Sequence, residues 1–208
     1  MKIINCEQGS PEWLEAKLEK ISGTRLASAI GNQLKQEALI NELIAERLTG
    51  NRKEITQSKA MALGIEAEEH AIEEYELETG VITEAVGLCI NDKFDWLVNS
   101  PDRLIKIDGK YSKAVEVKCP NTDTLVKYIR ANEIPPKYDA QVMSYFLVND
   151  DLQELDFVAY DPRIQTEQYR LWIKNIKREE LPLEETRKEV IRFYVKWQTA
   201  LKNLNLEL

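Results

Sequence analysis

Hydrophobic and polar positions change their period twice along this chain, which divides it into three stretches. Up to about residue 80 the spacing is helical. Ser10-Pro11-Glu12 presents a capping hydroxyl and then a proline at the first helical position, predicting a helix over residues 10–20 that groups Trp13, Ala16 and Lys17. Ile21-Ser22-Gly23-Thr24 reads as a loop capping a second short helix that ends near Gly31. Residues 38–48 predict an amphipathic helix stopped by Gly50, and residues 60–79 a long helix closed by Gly80. From Val81 the pattern alternates, predicting strands at 81–83, 87–90, 96–99, 103–107 and 114–118, broken by Asn91-Asp92 and Asp108-Gly109. Helices at 122–131 and 138–148 follow, separated by Pro135-Pro136, then strands at 155–160 and 168–176 and a last helix at 183–204. With no repeat, low-complexity segment or linker, the order predicts a single α/β (α+β) domain over 1–208, its central mixed sheet flanked by helices.

The strand at 114–118 carries the chemistry. In Ala114-Val115-Glu116-Val117-Lys118 the valines face one side and Glu116 and Lys118 the other, because strand side chains alternate. A carboxylate and an ammonium buried side by side are costly unless they pair or hold a metal. Ser100-Pro101-Asp102, one hairpin earlier, brings another carboxylate to the same surface. On the long helix Gly64, Ala67, Glu68, Ala71, Ile72 and Tyr75 share a face that is small and apolar apart from Glu68. On the helix at 138–148, Gln141 interrupts a stripe of Tyr138, Val142, Tyr145 and Phe146.

Each of these positions has an ordinary alternative. Glu116 and Lys118 would form a structural ion pair, Glu68 would be a border glutamate paired with a lysine, and Gln141 a satisfied core amide. Three elements that each set a polar group on an apolar face point instead to a shared site. Such oxygen ligands suit Mg²⁺, with Mn²⁺ as substitute, as one or two ions. Asp102 and Glu116 would hold the principal ion with the Val117 carbonyl, and Glu68 would complete the site or bind a second ion. Lys118 would lower the pKa of an attacking water and stabilise transition-state charge, and Gln141 would orient water or ligand. That set is built for metal-assisted phosphodiester hydrolysis.

Composition narrows the class. No apolar run approaches the roughly 20 residues needed to span a bilayer, and Met1 to Cys6 is too short and mixed for a signal peptide. Cys6, Cys89 and Cys119 are odd in number and lack CxxC spacing, so they read as reduced cytosolic thiols rather than a disulfide frame, zinc site or Fe–S cluster. His70 is the single histidine and cannot anchor a His-rich metal site. The net charge of −8 weighs mildly against a nucleic-acid partner. Many of the acids, however, fall in helical runs at 66–78 and 179–189 that read as solvated faces, and a metal-dependent nuclease carries acids by necessity.

The chain resembles the lambda-type (YqaJ-like) phage exonucleases of the PD-(D/E)xK nuclease superfamily. The resemblance rests on Glu7-Gln8-Gly9 and Trp13; on Gly64, Glu68 and Ala71; on Ser100-Pro101-Asp102 and Glu116-Val117-Lys118-Cys119-Pro120; and on Tyr138, Ala140-Gln141-Val142 and Tyr160-Asp161-Pro162-Arg163. It implies a restriction-endonuclease-like core and a metal-dependent exonuclease that degrades the 5′-ended strand of linear duplex DNA, leaving a 3′ overhang for a single-strand annealing protein. It also implies a toroidal homotrimer threaded by DNA in the cytoplasm of a bacterial host, with helices 10–50 helping to bind the DNA end. Glu68, Asp102, Glu116, Lys118 and Gln141 match the family's active-site positions. Lys17, Thr24 and Ser100 match its pocket for the DNA 5′-phosphate, where arginine and serine are more usual at the first two positions; lysine keeps the charge but loses bidentate geometry.

Weaker candidates are Lys127, Arg130 and Lys137, which would line the DNA path or form a surface cluster. Trp96, Trp172 and Trp197 read as core, and Tyr160-Asp161-Pro162-Arg163 as a strand-end turn with an Asp–Arg pair. Two other functions fit parts of the pattern. A structure-specific or restriction-type endonuclease would keep the nuclease core, although no separate sequence-reading module is visible. A non-enzymatic DNA-end-binding protein would keep Glu116 and Lys118 as a structural pair.

Overall fold

The computed structural model describes residues 1–52 and 59–206, with side chains outside 59–66. A four-stranded mixed sheet forms the centre, with its strands in the order β4-β5-β6-β7: β4 (Arg103–Ile107), β5 (Lys110–Lys118), β6 (Glu154–Tyr160) and β7 (Leu171–Lys177). β4 and β5 form an antiparallel hairpin whose turn places both Asp108 (φ 51) and Gly109 (φ 80) in the left-handed region, the geometry that matches strand twist. β5 and β6 are parallel and β6 and β7 antiparallel. A second, smaller antiparallel sheet joins β1 (Lys2–Ile4), β2 (Leu88–Ile90) and β3 (Val98–Asn99).

The helices are α1 (Pro11–Ala16), α2 (Gly23–Ala29), α3 (Gln33–Thr49), α4 (Lys59–Thr79), α5 (Thr122–Ala131), α6 (Asp139–Val148) and α7 (Leu183–Asn203). Alternation along β5 sorts them onto the two faces. Val115 and Val117 pack with Ile105 and Val158 against Ala71, Ile72 and Tyr75 of α4. Ala114 on the opposite face joins Leu155 and Phe157 in the main core with α6 and α7. α6 is buried almost all round, as a central helix must be. α2 packs on it so closely that a Cβ at Gly23 would lie 2.7 Å from Ser144 Oγ.

Several expected elements shift, each for a local reason. α1 stops at Ala16, so Lys17 follows the helix; Glu19 then turns left-handed (φ 54) and its N–H donates to Glu46 Oε2 at 2.8 Å. α3 begins at Gln33 rather than near 38, because Asn32 caps a polar first turn through Lys35 N–H. Residues 81–83 are no strand: Glu76 Oε1 captures Thr83 N–H at 2.7 Å and Thr83 Oγ1 at 2.6 Å, leaving one bridge between Glu84 and Leu104. β7 starts at Leu171 because Glu167–Tyr169 forms a 3₁₀ turn. β3 is shorter than 96–99, while β1 was not expected at all. Trp96 and Trp197 are core as expected, and Trp172 is half-buried. Arg163 Nε meets Asp161 Oδ1 at 2.7 Å, the expected Asp–Arg pair. Gly64 of the Glu68 face lies outside the described side chains. Among the described residues no helix is long and apolar enough to cross a membrane.

Candidate active site

Glu116 is the hub. Strand alternation turns it towards α6, and it is only 1% exposed. Gln141 Nε2 donates to its Oε1 at 2.7 Å, Lys118 Nζ contacts the same oxygen, and the Tyr145 hydroxyl donates to Oε2. Gln141 and Tyr145 are one helical turn apart on α6, which is why both reach one carboxylate. Asp102 sits at the entry to β4, across the hairpin, where its Oδ2 accepts from Val117 N–H at 2.7 Å. The Asp102 N–H lies 3.4 Å from the Tyr145 hydroxyl, so this phenol touches both acidic residues. The loop before Asp102 is tied down by Gln8, whose Nε2 donates to the Pro101 carbonyl at 2.9 Å.

Charge crowding shapes the protonation of these groups. Burial, followed by the charges of Glu116 and Glu68, holds the Asp102 pKa well above the usual carboxylate range. Burial also raises Glu68; Arg103 and Lys118 oppose it, while Glu116 and Glu69 add to it. For Lys118, burial favours the neutral amine, but Glu116 and Asp102 together outweigh it and the pKa is raised, so the side chain is an ammonium at neutral pH. Its Nζ also lies 5.4 Å from the centre of the Tyr138 ring. Cys119 is pushed up to about 11 by burial and by Glu68 and Asp102, which leaves it an inert thiol.

Asp102, Glu116, Lys118 and Gln141 are therefore brought together, and Glu68 approaches from α4 within electrostatic reach. Among the described residues, no three acidic, histidine or cysteine side chains form a metal cage by themselves. A hard divalent cation does not need one. Mg²⁺ takes one or two carboxylates and fills the rest of its shell with carbonyl, water and phosphate oxygens. Asp102, whose proton affinity is raised by burial and by the neighbouring Glu116 charge, and the buried Glu116 itself are a donor pair that fits such an ion.

The second group of candidates lies around Trp13. Its indole Nε1 donates to Ser100 Oγ at 2.9 Å, and Lys17 Nζ stands 3.7 Å from the ring centre. Lys17 is 8% exposed, too buried for a solvated surface lysine. Burial, then the charges of Arg52 and Arg25, lowers its pKa to about 7. Thr24 is exposed, its hydroxyl 3.2 Å from Ser22 Oγ, and it follows Gly23, which packs against Gln141 and Ser144. No described contact joins Thr24 to Lys17 or Ser100. Among the weaker candidates, Lys127 pairs with Asp123 at 3.7 Å on an exposed face, and Lys137 lies over the Tyr138 ring at 4.7 Å.

Sequence reasoning passed over Tyr145, although its spacing of four from Gln141 was a usable signal. It also passed over Arg25, Arg52 and Arg103, whose roles depend on contacts between distant elements.

A mixed sheet that sets an aspartate and a Glu-x-Lys pair on neighbouring strands, with helices on both faces, is the PD-(D/E)xK nuclease fold. The sequence profile of the YqaJ-like viral recombinase domain matches residues 12–151, and the chain belongs to that family. The chain is similar to an alkaline exonuclease (LHK-Exo) from Laribacter hongkongensis. The two share 30% identity with a TM-score of 0.84, over 94% of this chain and 96% of the other. The LHK-Exo complex with dAMP matches equally well. A phage-related exonuclease from Haemophilus somnus 129PT, 18% identical over 86% of this chain and 92% of its own with a TM-score of 0.60, shares the fold. Curated protein sequences yield no match.

Proposed function

We propose that this protein is a Mg²⁺-dependent deoxyribonuclease that digests linear duplex DNA from its 5′ ends and leaves 3′ single-stranded overhangs. The observation that carries this reading is the convergence of Asp102, Lys118 and Gln141 on or beside the buried Glu116. Support comes from the similarity to an alkaline exonuclease and to its complex with dAMP, a deoxynucleoside monophosphate.

Asp102, Glu116 and the Val117 carbonyl would hold the principal ion, and Glu68 would act through water or on a second ion. When bound, the metal supplies Lewis-acid stabilisation of phosphoryl charge and lowers the pKa of bound water. The chain's own residues do the rest. Lys118, kept charged by its carboxylate neighbours, stabilises the anionic transition state and holds a proton at Nζ beside the attacking water. Gln141 fixes one Glu116 oxygen and offers its carbonyl to orient water. Tyr145 stays a phenol, since burial and then the Glu116 and Asp102 charges raise its pKa, so it remains a donor to Glu116. Lys17, Thr24 and Ser100 would receive the 5′-phosphate, with Trp13 bridging the lysine and the serine.

The same reading makes the working form a homotrimer around DNA in the cytoplasm of a bacterial host, with the overhang passed to a single-strand annealing protein. The test uses linear duplex labelled at either the 5′ or the 3′ end, alongside covalently closed circular DNA, with and without Mg²⁺. Early release of 5′ label from linear DNA with circles left intact is the expected result. Cutting of circles would establish the endonuclease reading instead. Strong end binding in EDTA with no cleavage in Mg²⁺ would leave only a DNA-end-binding protein.

A further inference from the structure

Arg103 directly follows the candidate metal ligand Asp102, yet the chemistry above does not use it. Its side chain is 13% exposed and spans two elements. Nη1 donates to the Asp102 carbonyl at 2.7 Å, and Nη2 donates to both oxygens of Glu69 at 2.8 and 2.7 Å. Glu69 adjoins Glu68 on α4. One guanidinium therefore links the backbone that presents Asp102 to the helical turn that presents Glu68. The far part of α4 has its own anchor, the Tyr75 hydroxyl on Asp156 Oδ2 at 2.7 Å. The two anchors are six residues apart, or about 9 Å along the helix. Between these polar anchors Ala71 and Ile72 pack against the sheet, an apolar contact that lacks the directionality of a hydrogen bond. The anchor nearer the site is Arg103.

We propose that Arg103 is a positioning residue that sets the separation between Asp102 and Glu68, and so governs how tightly the site takes a divalent cation. The inference rests on the metal-dependent reading above. Glu69 is 68% exposed, and ion pairs of that kind add little to global stability. The effect should therefore appear in metal binding rather than in folding.

Calorimetric titration of Mn²⁺ into the full chain separates this role from a purely electrostatic one, because the two predict opposite signs. Arg103→Glu removes a cation and adds an anion beside the site, so electrostatics alone would tighten Mn²⁺ binding. A lost strut instead weakens it, by about tenfold on the scale of outer-shell substitutions. The charge-swapped pair Arg103→Glu with Glu69→Arg restores the ion pair at unchanged total charge, but a carboxylate at 103 cannot donate to the Asp102 carbonyl, so it should recover part of the affinity lost in Arg103→Glu. Thermal midpoints in EDTA should move by less than about 4 °C. Unchanged or tighter Mn²⁺ binding in Arg103→Glu, or no recovery in the swapped pair, overturns the proposal. If Arg103→Glu fails to fold, Arg103→Met removes the donors to both Asp102 and Glu69 together with one positive charge, so electrostatics alone would again tighten Mn²⁺ binding while a lost strut weakens it several-fold; unchanged or tighter binding there also overturns the proposal. A wild-type protein that takes no Mn²⁺ overturns both the metal-dependent reading and this one. A wild type that binds beside a variant that binds equally removes the strut alone.

Discussion

Among the described residues, two glutamates are almost completely buried and face cations, yet they belong to opposite kinds of site. Glu116 lies among acids: Asp102 and Glu68 raise the local negative charge, and among the described residues Lys118 is its cationic contact, supplemented by the neutral donors Gln141 and Tyr145. Glu46 of α3 lies against bases, with Glu42 as a second acid on Arg25 Nη2. Arg25 grips both its oxygens, Arg52 Nε stands 3.4 Å away, and the Glu19 N–H donates to Oε2 at 2.8 Å. Close by, Lys17 stays partly neutral near pH 7 because Arg52 and Arg25 add to its burial. The first region is short of positive charge and suits a divalent cation. The second gathers Arg25, Arg52 and Lys17 around Glu46 and Glu42, and under the proposed function it would receive the terminal phosphate. A buried glutamate is thus not itself a functional signal; the sign of the surrounding charge excess decides what the site can take.

The sharpest break of this contrast is Lys118→Ala. It removes the ammonium from the acidic region and should cut turnover on linear duplex by about 10²–10⁴-fold. Far-ultraviolet circular dichroism should be unchanged; retained turnover would make the Glu116–Lys118 pair structural only.

In the basic region the matching change acts on stability instead. Arg25→Met leaves Glu46 buried with Arg52 and the Glu19 N–H opposite it, and should cost about 3–5 kcal/mol in urea unfolding. Pairing it with Glu46→Leu should recover most of that loss, since an apolar pair of similar volume replaces a buried ion pair at little cost.

The smallest effect concerns Lys17. Its pKa in the folded protein is lowered to about 7, so the charged form is lost as pH rises through 7. The ratio of kcat/KM for 5′-phosphorylated over 5′-hydroxyl duplex should therefore fall by a few-fold between pH 6 and 8, and Lys17→Met should flatten that profile. Stability carries the opposite sign. Between about 7 and the ordinary lysine value the unfolded chain binds the extra proton, so stability rises with pH across that window and the gain is absent below it. A ratio independent of pH in the wild type would separate Lys17 from phosphate recognition.

Local pattern alone was enough for much of this protein. Alternation in β5 placed Glu116 and Lys118 on one face and the valines on the other. Helical spacing singled out Glu68 and Gln141, and the left-handed Asp108-Gly109 turn paired β4 with β5 and so brought Asp102 alongside. Periods of 2 and 3.6 are properties of the backbone, so side-chain direction within an element can be read without knowing its neighbours. The tertiary structure alone decided what those side chains meet. Thr83 was lost to a glutamate seven residues back, Tyr145 became a second holder of Glu116, Trp13 joined Lys17 to Ser100, and Arg103 bridged to Glu69. Most of these contacts link residues far apart along the chain, and the energies of all of them depend on burial and on the summed charge nearby, which no local window of sequence contains.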